Sequence, residues 1–155
     1  MPNDLRELYQ KVILDHGRTP RNFRRPAHPT CRAEGNNPMC GDALSVFLVL
    51  DDRGVIEDAA FEGQGCAISL ASASLMTETL KGMTRAEAER LFEAFHSLCT
   101  HTDAEPALPE GSADPLTRLS VFAGVRAFPI RAKCATLPWQ TMKAALAGEA
   151  EARSN

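Results

Sequence analysis

Gly63-Gln64-Gly65-Cys66-Ala67-Ile68-Ser69 is the stretch at which a strand turns directly into a helix. Ahead of it, Val55-Ile56-Glu57-Asp58-Ala59-Ala60-Phe61-Glu62 is short and rich enough in β-branched residues to predict a strand. Behind it, Leu70 to Leu80 predicts a helix. Glycines at 63 and 65 permit the backbone angles of a sharp corner. Cys66 then stands at or just before the first helical turn, where unpaired N–H groups and the positive end of the helix dipole favour a thiolate. A thiolate is the form of cysteine that binds metal or attacks sulfur. A plainer reading fits the same residues. Free cysteine is among the most buried residue types, and small residues at 67, 69, 71, 72, 73 and 74 also suit a tightly packed helix.

Composition narrows the function classes. The 155 residues suit one domain, 1–155, with a core large enough to need no disulfides. A net charge of -3 argues against nucleic-acid binding, which favours a basic chain. No apolar run is long enough to span a membrane, and Pro2-Asn3-Asp4-Leu5-Arg6-Glu7 is unlike a signal peptide, so a cytoplasmic location is expected. Five cysteines at irregular spacing do not resemble a secreted disulfide framework, which leaves metal or sulfur chemistry as the default.

Leu5, Leu8, Tyr9, Val12 and Ile13 mark an amphipathic helix over residues 4 to 15. The basic segment Gly17 to Pro26 ends it and reads as a solvated loop or a surface for an acidic partner. His16 and His28 lie in or beside that loop, at no ligand spacing from the cysteines. Cys31 to Glu34 predicts a short edge strand, Asn36-Asn37-Pro38 a turn, and Ala43 to Leu50 a strand apolar on both faces. Asp51-Asp52-Arg53-Gly54 is a hairpin loop into the 55–62 strand. Lys81-Gly82 stops the Cys66 helix, and Thr84 with Glu87 forms a capping-box pattern for a helix to about Leu98. Residues 101 to 115 read as a loop and 116 to 123 as a short helix. Val125 to Lys133 is expected to be extended, with Cys134 opening a last helix over 135 to about 147 and Pro138 in its first turn.

Cys40-Gly41-Asp42 places two potential ligands two residues apart, on one side of an extended backbone. Cys66 and Cys134 are expected to share one local design, each following a loop or strand and preceding a helix. Three thiolates and a carboxylate suit tetrahedral zinc. Such a site carries a charge of about -2, which Arg126, Arg131 and Lys133 would offset; an exposed basic strand is the equal alternative. Cys99 reads as core, and Cys31, His96 and His101 are not assigned as ligands.

Asn37-Pro38-Met39-Cys40-Gly41-Asp42, Phe61 to Ser69 with Ala71-Ser72-Ala73-Ser74, and Arg131 to Trp139 together resemble the three motifs of the IscU/NifU N-terminal family of iron–sulfur cluster assembly proteins. IscU-type scaffolds carry histidine immediately before the third cysteine; here the residue is Lys133. That departure, and a longer segment between the second and third motifs, resemble the SufU branch. The resemblance implies an α+β fold with a small antiparallel sheet covered by helices, and a zinc site of Cys40, Asp42, Cys66 and Cys134. It also implies a SufS-type, pyridoxal-phosphate cysteine desulfurase as partner, with downstream iron–sulfur assembly proteins beyond it. On this reading the chain is a zinc-dependent sulfurtransferase in which Cys40 accepts persulfide sulfur and Arg131 helps with charge or docking. The alternatives are a scaffold that transiently holds an iron–sulfur cluster on the same ligands, or a non-catalytic module with structural zinc.

Overall fold

The computed structural model describes residues 2–38, 41–100, 119, 121, 122, 125 and 128–151, with side chains from residue 10 onward. Helix α1 (Pro2–Arg18) precedes strands β1 (Cys31–Asn37), β2 (Asp42–Leu50) and β3 (Ile56–Gln64). Helices α2 (Ala67–Leu80), α3 (Arg85–Thr100) and α4 (Pro129–Leu146) come after the sheet. The strands form an antiparallel sheet in the order β1-β2-β3, so the fold is α+β, with the strand that is apolar on both faces at its centre.

Register explains which face is covered. Ala33, Val46 and Phe61 are cross-strand partners on one face and are fully or almost fully buried. Helix α4 packs on β1 and β2, and α2 on β3. The approach of α4 to β1 requires Gly35: a Cβ there would collide with the Thr141 hydroxyl and lie 3.2 Å from Leu137 Cδ1. On the opposite face Phe47 is also buried, with the Arg25 guanidinium 5.0 Å from its ring centroid. Both sheet edges are engaged. Phe61 exchanges backbone hydrogen bonds with Asn22 and Arg24, and the Glu34 N–H donates to the Ala150 carbonyl at 2.8 Å.

Three arginines of the basic loop pair with acidic side chains of the chain itself while staying partly exposed. Arg21 pairs with Asp15 at 2.7 Å, Arg24 with Asp58 at 2.6 Å and Arg25 with Glu62 at 3.0 Å. His16 lies in the last turn of α1, buried, its Nδ1 2.7 Å from Ser74 Oγ on α2. The capping box is realised: the Thr84 N–H donates to Glu87 Oε1, and the Glu87 N–H to Thr84 Oγ1.

The last helix departs from the sequence expectation. It begins at Pro129, so Arg131 and Lys133 are helical, Cys134 lies in the second turn, and Pro138 is inside the helix. Proline constrains the residue before it, and Phe128 takes the extended conformation (φ -131°, ψ 95°). Proline itself is well suited to the first helical position. Pro138 is tolerated where it is buried, in the part of α4 held against α2, α3 and the sheet. Beside it Trp139 is fully buried and stacks on Phe95 with centroids 4.8 Å apart. The expected loop at 101 to 115 lies outside the described residues. So does most of the expected helix at 116 to 123, of which Leu119, Val121 and Phe122 are described and buried. Among the described residues no helix is long and apolar enough to cross a membrane.

Candidate metal centre

The first residue of β2, the strand–helix corner and the second turn of α4 converge at one place. Asp42, Cys66 and Cys134 each offer a ligand atom there, and the three atoms lie within 4.8 Å of one another. Tetrahedral bonds of about 2.0–2.3 Å set ligand atoms roughly 3.3–3.8 Å apart, so a small contraction would close the group on one ion.

Each residue is delivered by a different local cause. Gly41 adopts a left-handed φ of 71°, turning the chain into β2 immediately before Asp42. Asp42 is 0 % exposed, and its Oδ1 accepts the Cys66 backbone N–H at 2.9 Å. Cys66 is the N-cap of α2, extended at φ -71° and ψ 168°, and its side chain makes no capping hydrogen bond. That leaves the sulfur turned to the cluster instead of to the helix end. The two corner glycines serve different needs. Gly63 has φ 137°, and a Cβ there would collide with the Ala43 carbonyl oxygen, so it is needed for both conformation and space. Gly65 is needed for space: a Cβ there would lie 2.7 Å from Asp42 Oδ1 and would collide with Ser69 Oγ.

Cys134 is reached from the other side. It is 3 % exposed, in the helix interior, so the expectation of two cysteines at matching helix starts is corrected. The Ser72 hydroxyl of α2 donates to the Ala135 carbonyl at 2.5 Å, tying the two sulfur-bearing helices together one residue beyond Cys134. In the sequence Ser69 and Ser72 read only as small residues. Their hydroxyls, recurring on the helix that Cys66 caps, are the signal that could have marked them.

The arrangement fits a metal ion. Asp42 Oδ2 is buried and has no hydrogen-bond partner among the described residues. An unsatisfied buried acceptor costs about 1–3 kcal/mol, and more when charged. A cation bound by that oxygen and the two neighbouring sulfurs removes the deficit. The donor set, two thiols and one carboxylate, suits zinc better than magnesium or calcium, which take oxygen ligands. Cys40 stands two residues before Asp42 in the sequence and lies outside the described residues.

The other candidates are elsewhere. Among the described residues this is the one group of three or more His, Cys, Asp or Glu able to share an ion. Cys31 is half-buried on β1, where burial pushes its thiol pKa up against the opposing influence of Arg85. Cys99 is core, as expected, and His96 stacks on Phe92. Arg131 and Lys133 are exposed on α4, and the Arg131 guanidinium lies 4.9 Å from the Phe128 ring centroid. Arg126 and His101 lie outside the described residues.

The chain is 36% identical over 146 residues to the zinc-dependent sulfurtransferase SufU of Bacillus subtilis, covering 94% of each chain. It is also 36% identical over 149 residues to the iron-sulfur cluster assembly scaffold protein IscU of Streptococcus pyogenes, covering 96% of this chain and 89% of that one. The crystal structure of a nitrogen-fixing NifU-like protein (N-terminal) from Brucella abortus superimposes with a TM-score of 0.77 at 25% identity, covering 90% of this chain and 92% of the other. Residues 8–135 match the sequence profile of the NifU-like N terminal domain, and the chain belongs to that family.

Proposed function

We propose that the chain works in iron–sulfur cluster assembly as a zinc-dependent acceptor of persulfide sulfur from a SufS-type cysteine desulfurase. The observation that carries this reading is the convergence of Asp42, Cys66 and Cys134, with a buried carboxylate oxygen left over for an ion. Similarity to the Bacillus subtilis sulfurtransferase supports the choice of zinc and of sulfur transfer. Cys40 completes the ligand set by its place in the sequence. Zinc, when bound, supplies deprotonated cysteine sulfur near neutral pH.

The chain's own groups divide the work. Asp42, held by the Cys66 amide, keeps one oxygen committed and one available. Cys66 and Cys134 anchor the site from two helices. Cys40 is the acceptor: its thiolate attacks the outer sulfur of the partner's persulfide, a new S–S bond forms at Cys40, and the partner's cysteine leaves as a thiolate. No external oxidant or reductant enters that exchange. Arg131, exposed in the first turn of the helix that carries Cys134, serves docking or charge. The partner and the downstream assembly proteins complete the pathway of sulfur.

The test is desulfurase turnover of cysteine with and without the chain. A rate increase is expected with wild type and none with Cys40→Ser, which should remain folded and metal-loaded to a reduced degree. Normal sulfur acceptance by Cys40→Ser would overturn the acceptor assignment. The scaffold reading draws on the Streptococcus pyogenes relative. It predicts iron, sulfide and visible absorption in anaerobically purified protein, where the proposal predicts stoichiometric zinc and a colourless sample.

A further inference from the structure

The hydroxyl of Ser69 donates to the Cys66 carbonyl oxygen and accepts from the Cys66 thiol. Ser69 Oγ is 3.1 Å from the Cys66 carbonyl oxygen and 3.8 Å from Cys66 Sγ, in a residue with 0 % exposure. It also borders the hollow left by Gly65, the same hollow that Asp42 Oδ1 occupies. The hydroxyl is therefore part of the wall of the metal centre as well as of the first turn of α2.

A sulfur that ligates a metal carries no proton and can only accept. A serine hydroxyl has one proton to give and rotates freely about its C–O bond. In this dry position, a hydrogen bond to an anionic sulfur is stronger than one to a neutral carbonyl. The carbonyl does not depend on it, because it already accepts the Leu70 N–H at 3.0 Å in the ordinary helical pattern.

We propose that Ser69 is a positioning residue of the metal centre: its hydroxyl turns from the Cys66 carbonyl to donate to Cys66 Sγ when that sulfur ligates the ion. The inference rests on the reading of Asp42, Cys66 and Cys134 as ligands. A donor at sulfur stabilises its lone pairs and fixes the side chain, and loss of such an outer partner typically costs 10–100-fold in metal affinity.

The experiment loads wild type, Ser69→Ala and Ser69→Thr with cobalt(II) in place of zinc. It reads the sulfur-to-cobalt charge-transfer bands, and a chelator competition gives zinc affinity. Thermal unfolding of each metal-free protein is measured alongside. Ser69→Ala should move the charge-transfer bands to longer wavelength and weaken zinc about 10-fold, whereas Ser69→Thr, which keeps the hydroxyl, should retain the wild-type bands. A purely structural serine predicts the opposite pattern: lower metal-free stability in Ser69→Ala with unchanged bands and affinity, and that result overturns the inference. Should alanine prevent folding, the isosteric pair Ser69→Thr and Ser69→Val repeats the comparison at constant volume with the same expectations. Failure of wild type to bind either ion would instead sink the metal reading of the site.

Discussion

Cys66 and Cys134 bring their sulfurs to the same place by opposite means. Cys66 is half-exposed at the end of a helix, its N–H bonded to Asp42 instead of within the helix, on a corner that needs two glycines. Cys134 is buried within a helix, fixed by packing and by the Ser72 bond to its neighbour Ala135. A helix end supplies free N–H groups and a favourable dipole; a helix interior supplies neither. The centre therefore has one wall shaped by backbone conformation and one shaped by core packing. Pro138 sharpens the contrast, since it cannot donate the hydrogen bond that would ordinarily reach the Cys134 carbonyl.

Removing a ligand from either wall should give the largest effect. Cys66→Ser, Cys134→Ser and Asp42→Ala are each expected to weaken zinc by about 100-fold or more. The linked loss of metal-dependent stability is about 2.7 kcal/mol, read as the difference in unfolding with and without chelator. Equal loss at all three positions joins the walls into one site; wild-type affinity in any of them removes that residue from the ligand set.

Next in size is a change of sign between the two cysteines in the metal-free protein. Serine is a preferred N-cap, and Cys66 makes no cap bond, so Cys66→Ser should raise metal-free stability by about 0.5–1 kcal/mol. Cys134→Ser puts a hydroxyl into a buried helix interior and should lower it by about 1 kcal/mol. Urea unfolding in the presence of chelator measures both. The same sign at both positions would erase the contrast between the walls.

The smallest effect comes from a region remote from both sulfurs. The Arg24 guanidinium holds the Asp58 carboxyl below its ordinary value, through a hydrogen bond first and charge second. A depressed carboxylate contributes stability above the ordinary range near pH 4, and the contribution is lost as pH falls through the lower folded value. Both side chains are partly exposed, so the gain is under about 1 kcal/mol. Arg24→Ala should therefore flatten the acid limb of the stability profile and leave zinc affinity unchanged. A change in affinity would tie the two regions together.

Much of this is legible in residue order. The sheet, the corner at 63–66 and the Thr84–Glu87 cap follow from local patterns, and local patterns govern them in the structure. Cys66 is readable for the same reason. The surroundings of Cys134 are not: a proline ahead of it signals extension, yet Pro129 constrains only Phe128 and itself starts the helix. The pairing of Arg21, Arg24 and Arg25 is equally hidden, because their acidic partners stand on α1 and β3, and only the folded sheet brings the last two together. At Gly65 the sequence suggests backbone angles suited to a sharp corner, whereas its role in the fold is the room it leaves for Asp42.

Zinc-edge X-ray absorption on the loaded chain counts the ligands themselves. One zinc per chain is predicted, with three sulfur neighbours at about 2.3 Å and one oxygen at about 2.0–2.2 Å, reduced by one sulfur in Cys66→Ser and in Cys134→Ser alike. A shell of nitrogen and oxygen alone, or a sulfur count that either substitution leaves untouched, would contradict a shared site.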